Sequence, residues 1–476
     1  LGFVPYDAIV VGGTLVTAER TFAATIAVRA GKIAGLLAPD ERPPALDVID
    51  ATGMHVFPGL VDTHVHLRDP GHTEREDFTT GTRAAAAGGI TTILEMPIST
   101  PTVNSAEVFR ARRAIVGPKT IVDYALYGAA GHDNLDEIAP MVAEGAIAFK
   151  TFLHAPMPGR EHEFVGLFCI DEGRLRDLMF EVAKTGVPHT FHCENNAMLH
   201  ALEHKLVESG RTDPMAHAEM RPTVVEDVSV ATMLAIAAET KGHVQVVHMS
   251  SPMAAQLVKE AKARGVRATG ETCPHYLFLS EDELRIFGPY AKCNPVLRSN
   301  ADRDAFWKYV QDGTIDVIGS DHAPYSVEEK ERGTDNIFRA PSGFPGLEVQ
   351  FPLMLTAYHD GLLSLSDIAR LTATRASELF ALPQKGRIEE GCDADFAIVN
   401  LDEAWTFELK DAFSKAREIM KVYQGRKLRG KVVTTVVRGT RVFDHGKILV
   451  EPGFGTFLRP DHSKGKTWAA YSPAAT

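Results

Sequence analysis

At 476 residues, 45% hydrophobic and 24% charged, the chain has the balance of a soluble globular protein and more length than one ordinary core needs. Its formal net charge of -12 argues against nucleic acid and anionic membrane as general partners, because no basic excess offsets the electrostatic cost. No apolar run of about 18 residues predicts a membrane span, the opening Leu1-Gly2-Phe3-Val4-Pro5 has no signal-like core, and five cysteines without CxxC spacing fit reduced thiols in a cytoplasm.

The first elements read as short strands: Ala8-Ile9-Val10-Val11, a Gly12-Gly13 turn, Thr14-Leu15-Val16, Thr25-Ile26-Ala27-Val28 and Lys32-Ile33-Ala34-Gly35-Leu36. The apolar run 54–60 then leads into Val61-Asp62-Thr63-His64-Val65-His66-Leu67-Arg68, which reads as a buried strand. Side chains alternate along a strand, so His64 and His66 point the same way. Two imidazoles on one face at a strand end suit one borderline transition metal such as zinc.

From there strand-like and helix-like segments alternate. Strand-like runs fall at 89–96, 120–126, 146–150, 188–192, 244–248 and 315–321. Repeated βα units over about 300 residues predict an α/β fold, a (β/α)8 TIM barrel. A doubly wound open sheet is the alternative, weakened by the lack of a GxGxxG after an early strand. Strand texture returns at 395–399, 432–439 and 441–443. The two chain ends are therefore expected to form a small β-sandwich domain, 1–55 plus 386–455, around a barrel spanning 56–385. A C-terminal tail, 456–476, follows. Its Phe457, Trp468 and Tyr471, with Phe454 just before, are expected to pack on a neighbouring subunit.

Polar residues end these barrel strands: His64, His66, Lys150, His192, His248 and Asp321. In a barrel the C-terminal strand ends share one mouth, so these six groups are expected to meet.

This set, with Thr80-Gly81-Thr82-Arg83, Phe191-His192-Cys193-Glu194-Asn195, Glu271-Thr272-Cys273-Pro274-His275-Tyr276 and Ser320-Asp321-His322-Ala323-Pro324, resembles the amidohydrolase superfamily. More narrowly it resembles the cyclic amidohydrolase branch of hydantoinase, dihydropyrimidinase, allantoinase and dihydroorotase. The resemblance implies two divalent metals, zinc first, with manganese, cobalt or iron compatible. His64, His66 and Asp321 would hold one metal and His192 and His248 the other. Lys150, N-carboxylated, would bridge both. It further implies ring opening of a cyclic amide by a metal-bridging hydroxide, with Asp321 as general base and then acid, in a homotetramer or dimer.

The substrate positions narrow the ring. Dihydroorotase-like chains hold a substrate carboxylate with an Arg, an Asn and a His. Here Arg68 matches, but Ile98-Ser99 follows Met96-Pro97 and Tyr325 follows Pro324. Dihydropyrimidinases place a Tyr oxyanion donor where this chain has Ala155, so a metal or His154 is expected to stand in. The texture resembles allantoinase and L-hydantoinase most, whose substrates are five-membered rings. Arg68, Asn294, Ser342 and Gly343 are the expected substrate contacts, and residues 154–168 an expected substrate lid. Dihydroorotase or dihydropyrimidinase activity is the alternative. A single-metal hydrolase and a catalytically silent assembly protein on the same fold are readings of other classes.

Overall fold

The computed structural model describes residues 4–156 and 159–462. Eight parallel strands form the centre: β1 (Leu60–Val65), β2 (Ile90–Glu95), β3 (Asp123–Leu126, continued by Gly128–Ala129), β4 (Phe149–Phe152), β5 (His189–His192), β6 (Val244–Val246), β7 (Ala268–Thr272) and β8 (Val317–Ile318). Each pairs with its neighbour in sequence. A parallel bridge from Val65 to His322, with the His66 amide donating to the His322 carbonyl at 2.8 Å, closes β8 onto β1. The result is the TIM barrel expected from the βα rhythm.

Helices wrap the barrel by burying one apolar stripe each. In Glu172–Thr185 the stripe is Leu175, Leu178, Met179 and Val182, three or four residues apart. Asp171 caps its start by accepting from the Arg174 amide, and Gly186, at φ 78°, ends it. β7 is the one barrel strand that the apolar runs do not reveal.

The accessory β-sandwich joins the chain ends as expected. Its four-stranded sheet comes wholly from the early strands. In the seven-stranded sheet, His55–Pro58 pairs antiparallel with Phe396–Thr406, with Ala397 opposite Phe57. Buried Val10, Ile26, Val28, Val56, Phe396 and Ile398 fill the space between the sheets. Gly59 links the sandwich strand to β1. A Cβ there would lie 2.2 Å from Thr91 Oγ1, so the chain can pass only as glycine.

Buried charges bind sandwich to barrel. Lys385, 2% exposed, donates to Asp123 of β3 at 2.5 Å and to Asp395 at 2.9 Å. Phe454 and Phe457 pack on their own chain. Phe457 lies 5.6 Å from the Tyr124 ring and bridges to it, and Arg438 stacks on Phe454. The Tyr124 amide donates to the Thr456 carbonyl at 3.0 Å and the Leu458 amide to the Tyr124 carbonyl at 2.8 Å, so this segment pairs with β3. Trp468 and Tyr471 lie outside the described residues. All five cysteines are free and buried. Among the described residues no helix is long and apolar enough to cross a membrane.

Candidate active site

Strand alternation delivers His64 and His66 from β1 to the barrel mouth, with ring centroids 5.3 Å apart. Their Nε2 atoms lie 3.4 and 3.5 Å from Asp321 Oδ1, which reaches in from the end of β8. Opposite them, His192 at the end of β5 and His248 after β6 face each other, Nδ1 to Nε2, at 3.0 Å. The His64 and His248 rings, 5.1 Å apart, join the two groups. Lys150 of β4 sits beneath, fully buried, and its Nζ has no hydrogen-bond partner.

Partners on other strands orient these rings. Glu271 of β7 lies 2.7 Å from His64 Nδ1, so Nε2 is the free nitrogen. Glu194 lies 2.7 Å from His192 Nε2 and is itself paired with Arg221 at 2.5 Å. Burial drives His64 and His192 down to about 4, and Lys150 pushes both the same way. Burial also holds His66 and His248 well below the ordinary imidazole range. All four are therefore neutral bases with lone pairs free to ligate.

Burial lowers Lys150 to about 8, against the pull of Glu271 and Asp321. Burial raises Asp321 to about 7, with Lys150 opposing. Left-handed backbone at Arg68 (φ 59°), His248 (φ 41°) and Asp321 (φ 46°) marks strain concentrated at this mouth. The donor set fits cations. Four neutral imidazoles and a carboxylate surround a buried amine with no partner, and the charges opposing a cation are that amine's and Arg68's.

The mouth opens into a cavity of about 380 Å³, of the size that takes a small molecule. Arg68, Asn294, Ser342 and Gly343, the expected substrate contacts, all line it. Asn294 Oδ1 is buried without a partner. Gly343 serves the wall by lacking a side chain: a Cβ would lie 2.6 Å from Ala323 Cβ, and its amide already donates to the Lys292 carbonyl at 2.8 Å. Arg68, 2% exposed, donates to Tyr325 Oη at 3.1 Å, while its Nε and Nη1 have no partner.

His154 does not replace the missing Tyr donor. Its Nδ1 donates to the Ala155 carbonyl at 2.7 Å, and burial holds the ring neutral at about 3. Nε2, which lacks a partner, is thus an acceptor. Glu271, Glu194 and Arg221 were given no role from sequence. The one signal was local, in that Glu194 stands two residues after His192.

A model of the amidohydrolase family matches residues 55–442. An allantoinase of Streptomyces avermitilis is 38% identical over 441 residues, covering 92% of this chain and 96% of its own. An L-hydantoinase of Paenarthrobacter aurescens is 34% identical over 458 residues, covering 95% of this chain and 98% of its own. Among solved structures, the L-hydantoinase (dihydropyrimidinase) from Arthrobacter aurescens superposes with a TM-score of 0.91 at 33% identity, over 95% of this chain and 100% of its own. The dihydropyrimidinase from Brevibacillus agri gives 0.87 at 26% identity, over 95% and 98%.

Proposed function

The chain belongs to the amidohydrolase family, and from that membership and the site we infer that it opens a cyclic amide by metal-dependent hydrolysis. One observation carries this reading: two groups of metal-competent ligands gather around the partnerless amine of Lys150. His64, His66 and Asp321 would hold one cation, and His192 and His248 the other. Carboxylated at Nζ, Lys150 would reach both. Its lowered pKa supports that modification, because only a free amine adds carbon dioxide. Zinc suits the nitrogen-rich set best, with manganese, cobalt or iron compatible. When bound, such cations supply Lewis acidity and lower the pKa of water.

The chain's own groups do the rest. Asp321, raised toward neutrality by burial, takes a proton at its carboxyl from the attacking water. It returns that proton to the ring nitrogen as the C–N bond breaks. Asn294 Oδ1 and His154 Nε2 accept from ring N–H groups, and the glycine at 343 lets the ring lie close to the wall. The ring we infer is five-membered, of hydantoin or allantoin type, as the names of the relatives suggest. The division into a sandwich of 1–55 plus 386–455 and a barrel of 56–385, a cytoplasmic setting and a homo-oligomer, dimer or tetramer, complete the reading.

The unpartnered Nε and Nη1 of Arg68 favour a second reading, in which the ring carries an acidic substituent, as dihydroorotate does. A panel on metal-loaded protein decides between them: allantoin, both enantiomers of 5-substituted hydantoins, dihydrouracil and dihydroorotate. Turnover of the five-membered rings is expected. Dihydroorotate opened faster than every other ring would replace the first reading with the second. Lys150→Ala is expected to lose bound metal and activity together, with both restored in part by a short-chain carboxylic acid. Full metal and activity without added acid would refute the bridge.

A further inference from the structure

We propose a separate cation site at the rim of the cavity, built from His72, His162 and Glu163, that staples the 159–168 segment to the loop following β1. The three ligand atoms lie within 4.8 Å of one another. None belongs to the pair of ligand groups at the barrel centre, and the site does not depend on which ring the enzyme opens.

The argument begins with His72. Its Nδ1 lies 3.1 Å from Glu74 Oε1. A carboxylate only accepts, so Nδ1 carries a proton and Nε2 is the nitrogen left to face a metal. That Nε2 is buried without a partner and faces Glu163 Oε1 at 3.7 Å. A cation entering between these two atoms would be ligated by both, displacing any proton held there. A carboxylate behind an imidazole whose other nitrogen is free is the pattern that orients histidine toward a metal.

Glu163 supplies the anionic ligand. Burial raises its carboxyl, but Arg160, and after it Arg68 and Arg75, outweigh burial and hold it at about 2. Its Oε2 takes the short contact from Arg160 Nη2 at 2.6 Å. Oε1 has only longer contacts, 3.3 Å from Arg160 Nε and 3.5 Å from Arg75 Nη1, and points toward His72. Arg75 is already held by Glu329 through Nε at 3.0 Å and Nη2 at 2.6 Å. Glu74, Glu163 and Glu329 offset Arg68, Arg75 and Arg160, while Arg332 and Arg339 also line the cavity.

His162 completes the set from an exposed position, its ring 6.3 Å from that of His72. Zinc bonds of about 2.0–2.2 Å require its free side chain to swing inward, which nothing buried opposes. Two nitrogens and one oxygen select a borderline divalent ion such as zinc or cobalt over magnesium or calcium. The surrounding arginines make this site weaker than the central one. Filling it ties together the two loops that flank the cavity mouth and slows exchange through it.

The test uses holoenzyme with its central site filled and dialysed, titrated with Co²⁺ as a spectroscopic probe and with Zn²⁺ in parallel. One additional equivalent per chain is expected, with the visible spectrum of histidine-bound cobalt and with turnover falling as it fills. Glu74→Gln is expected to weaken that equivalent about tenfold, and His72→Ala combined with His162→Ala to abolish it and the metal inhibition. No additional equivalent at millimolar metal would overturn the proposal. So would an equivalent that survives the double substitution, because it would then sit on other histidines.

Discussion

Glu271 accepts from four donors at once: Thr63 Oγ1 at 2.6 Å, His64 Nδ1 at 2.7 Å, Gln245 Nε2 at 3.1 Å and the His248 amide at 3.3 Å. Burial raises this carboxyl, yet His64 and Thr63 outweigh it and keep it below its ordinary range. A neutral amide offers one acceptor oxygen and brings two unwanted donors. Glu271→Gln is therefore expected to lower metal affinity about 10- to 100-fold, read by equilibrium dialysis, with the fold retained. His154→Phe is expected to raise KM about tenfold at near-constant kcat, because one acceptor for a ring N–H is lost. A ring methylated at that nitrogen should show no difference between His154→Phe and the parent, and an equal penalty for both rings would refute the contact. The six central residues were legible because each closes an apolar strand run. Glu271 was not, because its value lies in meeting His64, 207 residues away, and no spacing along the chain records that.

At the scale of elements, β7 escaped the sequence pattern for a physical reason. Ala268-Thr269-Gly270-Glu271-Thr272 carries a glycine and three polar side chains where a buried strand is expected to be apolar. Its polar groups point into a network of buried partners instead, with Thr272 Oγ1 donating to the Met249 carbonyl at 2.7 Å. In the 159–168 segment, charge joins apolar contact: Phe164 and Leu167 pack with Phe152, and Glu163, nearly inaccessible, is held at about 2 by arginines. Its folded value is depressed, so its contribution is fully present above about 4.5 and lost as pH falls toward 2. The stability difference between the parent and Glu163→Gln, measured by denaturant unfolding, should stay constant above that range and shrink below it. A difference that grows on acidification would mean the arginines are not its partners.

For the whole molecule, Lys385 and Arg438 meet at Asp123 and, with the Lys415–Asp77 pair, tie the two units by charge. Three carboxylates converge on Lys385 Nζ: Asp123 at 2.5 Å, Asp393 at 2.9 Å and Asp395 at 2.9 Å. Lys385→Met removes that cation; Asp123 keeps Arg438 and Asp393 keeps Lys32, but buried Asp395 loses its side-chain cation. Breaking a buried pair in this way costs about 3–5 kcal/mol, so a clear fall in Tm by calorimetry is expected. Asp395→Asn, which removes one acid and keeps the cation, should cost less. Equal losses in the two variants would mean that packing, not charge, joins the units. That the two ends would meet was legible from their matching strand texture. The place of Phe454 and Phe457 was not, since an aromatic pair near a terminus serves an internal groove and a subunit contact equally well.

The antiparallel seam between His55–Pro58 and Phe396–Thr406 also sets a timetable. On a ribosome adding about 5–20 residues per second, the early strand waits some 20–70 seconds for its mate. Until then an apolar edge stands open in a crowded nascent chain. Synthesis of this enzyme therefore favours hosts whose chaperones shield such an edge for about a minute, and slower translation lengthens the exposure.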